Sequence, residues 1–146
     1  MNRKLVIGVG NRDRGDDAAG CLVAEQLRKI AGGHFDVVES AGDISELLEY
    51  FEKYEEVILI DAVCSPEAHE VLRWNGITDR LPTILSGASS HVLGVAQALE
   101  LARALNLLPR CLSIFGIPGK EFGYGVPLSS QTVRHIEWVC QQIILE

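Results

Sequence analysis

The chain reads as an α/β domain in which a mostly parallel sheet is covered by helices on both faces, and three observations predict it. Strand-like and helix-like patterns alternate from end to end. One run, Val57-Ile58-Leu59-Ile60, is apolar without a break and rich in β-branched residues, as a central parallel strand buried on both faces must be. A glycine-rich segment, residues 8–15, joins the first strand directly to the first helix. With 146 residues, 47% apolar and 23% charged, the chain can bury a core of its own, so residues 1–146 are expected to form one domain without linker or repeat.

Residues 5–9 are a short apolar run closed by Gly10. From 16 to 30 the period becomes helical, with Ala18, Leu22, Val23, Leu27 and Ile30 on one side, until Ala31-Gly32-Gly33 ends it. Residues 35–39 form a second strand, and Asp43 with Glu46 three positions later marks a helix start close to a capping box. Ile44, Leu47, Leu48 and Phe51 then recur at helical spacing. After the 57–60 strand, residues 70–74 follow with no intervening helix and read as an edge strand that could run antiparallel. Ser89 or Ser90 can cap a helix over about 91–105, residues 112–117 make the last strand, and Ser129 or Ser130 caps a final helix striped by Val133, Ile136, Cys140 and Ile143. Five strands and four helices give a three-layer αβα sandwich around a twisted sheet.

A formal net charge of −7 disfavours nucleic acid and anionic lipid, which select basic patches. No apolar run approaches the roughly 20 residues of a bilayer span. The start of the chain enters a strand pattern directly, so no signal peptide and a cytoplasmic location are expected. Cys21, Cys64, Cys111 and Cys140 match no zinc or redox spacing and read as reduced core residues.

The chemistry-bearing candidates are three. The segment Gly8-Val9-Gly10-Asn11-Arg12-Asp13-Arg14-Gly15-Asp16-Asp17 departs from a dinucleotide loop, because Asp13 stands where the third glycine belongs and two acids at a helix start repel phosphate. Asp16 reads as a helix cap, leaving Asp17, which points elsewhere, for another task. Asp61 ends the central apolar run, at the edge where open α/β sheets place ligands, although an aspartate there can also cap a turn. His91 follows the small-residue loop Ser86-Gly87-Ala88-Ser89-Ser90; alone, such a histidine is more often a surface or capping residue than a ligand. A doubly wound sheet carries all three to one rim. Two carboxylates and an imidazole suit a divalent ion such as nickel or zinc with coordination positions to spare, so the set points to hydrolytic chemistry. His34, His69 and His135 lack such context, and His135 is expected to face solvent.

These residues resemble the hydrogenase maturation endopeptidases, the family that trims the large subunit of nickel-iron hydrogenases. Four stretches carry the likeness: Gly8-Val9-Gly10-Asn11 through Gly15-Asp16-Asp17-Ala18-Ala19-Gly20; Leu59-Ile60-Asp61-Ala62; Ser90-His91 with Leu93-Gly94; and Phe115-Gly116-Ile117-Pro118 leading to Gly123-Tyr124-Gly125 and Leu128-Ser129. The resemblance implies the phosphorylase-like sandwich of that family. It also implies that Asp17, Asp61 and His91 contact metal, and that the activity is removal of a C-terminal extension from the hydrogenase large-subunit precursor after nickel insertion. The nickel would arrive with the substrate, zinc or cadmium could replace it in a crystal, and the protein would act as a monomer. A metal-sensing chaperone using the same trio, or a nucleotide-binding α/β enzyme, are the alternatives. Where relatives carry an Asp-Gly-Gly-Thr-like turn after the second strand, this chain has Glu39-Ser40-Ala41-Gly42-Asp43, with Glu39 the nearest substitute acid.

Overall fold

The computed structural model describes residues 4–30, 33–64, 67–79 and 90–146, with side chains in the last stretch from Val95 onward. Strands β1 (Lys4–Val9), β2 (Asp36–Ser40), β3 (Glu56–Cys64), β4 (Leu72–Asn75) and β5 (Cys111–Gly119) form one sheet in the order β2-β1-β3-β5-β4. All neighbours are parallel except β4, which runs antiparallel along β5. The edge position expected for β4 is therefore correct, and its direction is antiparallel.

Helices α1 (Ala19–Ile30), α2 (Ile44–Lys53), α3 (Ser90–Ala104) and α4 (Ser130–Leu145) make the outer layers. Side-chain alternation along the strands sorts the core in two. Leu5, Ile7, Val57 and Leu59 pack with α2 and α3, whereas Val6, Ile58 and Ile60 pack with α1 and α4. Asp43 caps α2 by accepting from the Ser45 amide at 2.9 Å, and Ser129 caps α4 through the Thr132 amide at 3.4 Å, as the sequence predicts. The Ser89 cap and the end of α1 at residues 31–32 lie outside the described residues.

Several expectations need correction. The first helix does not begin at Asp16: a single 3₁₀ turn, Gly15–Ala18, precedes α1. Ile30 and Val133 do not belong to the buried stripes; they are exposed, and Cys21 and Ala24 in α1 and Thr132 and Val139 in α4 face inward instead. Strand β3 does not stop at Ile60 but continues to Cys64. Of the four cysteines only Cys21 and Cys140 are core residues; Cys64 and Cys111 are exposed, all four as free thiols.

One close approach sets how α1 sits on the sheet. A Cβ on Gly8 would lie 2.1 Å from the Gly20 carbonyl oxygen, and one on Gly20 would lie 2.3 Å from Val9 O and 2.5 Å from Ile60 O. All three obstacles are backbone, so only glycine lets the helix start lie flat against β1 and β3. Gly20→Ala should therefore lower stability by at least about 2 kcal/mol, read as a shifted urea midpoint with an unchanged m-value.

Candidate functional site

The loop after β1 is fixed from both sides, and it carries Asp17. On one side stands Asp16, fully buried. Its carboxylate accepts the amides of Lys120 (2.8 Å), Glu121 (3.0 Å) and Ser129 (2.8 Å) and the Ser129 hydroxyl (3.0 Å), while its own amide donates to Glu121 O at 2.6 Å. Burial alone would raise its pKa, yet these donors outweigh it and hold the carboxyl below the usual aspartate value. Asp16 thus does not cap a helix; no side chain caps the 3₁₀ turn. It ties the β1 loop to the β5–α4 loop more than a hundred residues away. Gly15 makes this possible, since at φ +52 a side chain is strained and a Cβ would meet Glu121 O at 2.3 Å.

On the other side, Glu39 at the end of β2 holds Arg12 through a bidentate pair, both distances 2.7 Å, and also accepts from Arg28. Arg12 further approaches Glu25 at 3.5 Å. The Arg12 hydrogen bond works against burial and holds the Glu39 carboxyl at about 2. Both oxygens of Glu39, the nearest substitute acid by sequence, are occupied by guanidinium groups.

Asp17 stands in the 3₁₀ turn that follows β1, and Asp61 in the neighbouring strand β3. Pairing places Gly8 opposite Ile60, so Asp61 is level with the end of β1, and the 3₁₀ turn carrying Asp17 packs on β3. Asp17 is fully buried and Asp61 is 4% exposed. Asp61 lies within β3, opposite Gly116 of β5, and not beyond the strand as the apolar run suggested. Its Oδ1 accepts the Ala62 amide at 2.8 Å. Together with Leu59, Val63, Trp74 and Val95 it borders a cavity of about 10 Å³, no more than room for one water. Val95 belongs to α3, and His91 stands one helical turn before it in the same helix. The His91 side chain lies outside the described residues, and among those described no three potential ligands cluster as a metal centre.

A groove of about 530 Å³ opens at the carboxyl ends of β1 and β2, lined by Asn11, Arg12, Arg14, Glu39, Ala41 and Tyr124 among others. Cys21 also borders it, and burial pushes its thiol up to about 12. Sequence reasoning did not find this groove, because its walls join segments with no shared motif. The glycine at 15 beside paired acids was the one available signal. His135, expected to face solvent, is half-buried instead, and its Nδ1 has no hydrogen-bond partner; burial lowers its pKa.

No family model and no curated protein sequence matches the chain. Solved structures do. The hydrogenase maturating endopeptidase HybD from E. coli superposes with a TM-score of 0.80 at 25% identity, covering 97% of this chain and 89% of that one. The [NiFe] hydrogenase maturation protease HybD from Thermococcus kodakarensis gives 0.76 at 27% identity, covering 97% and 96%. A hydrogenase 2 maturation peptidase from a Thaumarchaeota archaeon, at 22% identity, shares the fold, with a TM-score of 0.70 and coverage of 99% and 97%. The chain resembles these endopeptidases along nearly its whole length.

Two outcomes are expected of the clasps. Asp16→Asn turns a donor toward donors and should cost about 2–4 kcal/mol in chemical denaturation, well above a lost cap. Because the Glu39 pKa is depressed, its ion pairs stabilise the fold above the ordinary carboxylate value of 4.5 and lose that contribution as pH falls toward about 2. Glu39→Gln should be less stable than wild type at pH 7 by about 1 kcal/mol at most, since the pairs are partly exposed, and the gap should close across that window in pH-resolved thermal melts.

Proposed function

We propose that this chain is a hydrogenase maturation endopeptidase, a hydrolase that cuts the C-terminal extension from a nickel-iron hydrogenase large-subunit precursor once nickel has been inserted. The observation that carries the reading is the likeness in fold and length to solved endopeptidases of that name at 25% and 27% identity. It is supported by two buried aspartates: Asp61 in β3, level with the end of β1, and Asp17 in the 3₁₀ turn after β1 that packs on β3. Open α/β sheets bind their ligands at the carboxyl edge of their strands.

In this reading the metal is part of the substrate. Asp17, Asp61 and His91 grasp the nickel that the precursor presents and so bring the scissile bond to a fixed place. A nickel ion with open positions can polarise the peptide carbonyl or lower the pKa of an attacking water. The chain's own contribution is placement: a carboxylate one hydrogen bond from that water can take its proton and pass it to the leaving amine. Burial of both carboxylates keeps bulk solvent from competing for the ion. The groove beside β1 and β2 is where the polypeptide would lie.

Purified protein incubated with nickel-loaded precursor should release the tail, seen as a mass loss in the precursor, and metal-free precursor should stay intact. Asp17→Ala, Asp61→Ala and His91→Ala should each reduce tail release by at least about 10³-fold while circular dichroism stays that of wild type. A bound but uncut precursor would make the protein a metal-sensing chaperone. Processing by His91→Ala at the wild-type rate would remove His91 from the site.

A further inference from the structure

The loop between β5 and α4 is anchored far more heavily than an exposed connection requires. Asp16 holds both of its ends, at Lys120, Glu121 and Ser129. Between them the Gly125 amide donates to Asp13 O at 2.8 Å, and Arg14 Nε donates to Phe122 O at 3.1 Å. At the tip is Tyr124, 73% exposed, with the Arg14 guanidinium 5.2 Å from its ring centroid. An aromatic ring so exposed gains little from burial, yet it is fixed by a cation–π contact and a braced turn and lines the groove. The opposite wall is the end of β2, which has a sheet neighbour on one side only.

Resting on the endopeptidase reading, we propose that Tyr124, backed by Arg14, is the residue that grips the precursor: its ring packs against an extended polypeptide segment lying between this loop and the end of β2. A groove of this volume, walled by charged side chains, by the backbone at the end of an edge strand and by an aromatic ring held in a cation–π contact, suits a peptide chain better than a compact small molecule. Tyr124 binds substrate without touching the reacting atoms, and Arg14 positions Tyr124.

The test is calorimetric titration of the nickel-loaded precursor into wild type, Tyr124→Ala, Tyr124→Phe and Arg14→Lys, with tail release measured in parallel. Tyr124→Ala should weaken binding about tenfold and raise KM by a similar factor with kcat nearly unchanged. Its melting temperature should match wild type, because the ring is exposed. Tyr124→Phe should restore binding, and Arg14→Lys, which keeps the charge but loses the planar stack, should fall between. Wild-type Kd and KM for Tyr124→Ala would overturn the proposal while leaving the endopeptidase reading intact. Precursor that binds but is never cut would overturn that reading alone, since the Kd comparison still decides the role of Tyr124; precursor that does not bind wild type overturns both.

Discussion

A single buried carboxylate organises the functional end of this molecule. Asp16 is inaccessible to water, and an ionised group in that position is tolerated only when every lone pair is engaged by donors. Four donors supply that, all from the segment between β5 and α4. The chain therefore cannot place its first loop without placing its last one. Asp17, the next residue, inherits its position from this arrangement, and so does the groove wall that ends at Tyr124.

The two helix layers contribute to the site unequally. Asp17 leads into α1, which covers one face of the sheet, whereas Asp61 alternates with Leu59 on the face covered by α2 and α3, the helix in which His91 stands. The glycine contact that presses α1 onto β1 and β3 also bears on where the turn carrying Asp17 meets β3. A helix lifted by one methyl group would shift that turn on the sheet.

Much of the architecture was legible in the amino-acid order because local chemistry agrees with the final fold. The run 57–60 is a central strand, Asp43 and Ser129 are caps, and the segment 72–75, lacking a preceding helix, is an antiparallel edge. What escaped was decided by distant partners. Nothing near Asp16 in sequence distinguishes a cap from an anchor for residues 120–129. The β3 strand outlasts its apolar run because β5 offers pairing partners up to Gly119. His135 is half-buried through its surroundings at Glu70, Val71 and Trp138, which periodicity along α4 does not reveal. The apolar run pointed to Asp61 as a residue at a strand end, whereas it lies within β3; the joint use of a metal by Asp17, Asp61 and His91 rests on the resemblance and on the test above.

Glu39 carries a further consequence. One carboxylate serves two guanidinium groups from different elements, Arg12 in the first loop and Arg28 in α1. Removing the acid leaves Arg28 without this anion and Arg12 with only Glu25, whereas removing either arginine leaves Glu39 paired with the other. The three positions are therefore unequal: losing the acid unties both the first loop and α1 from the end of β2, whereas losing one cation unties only one of them.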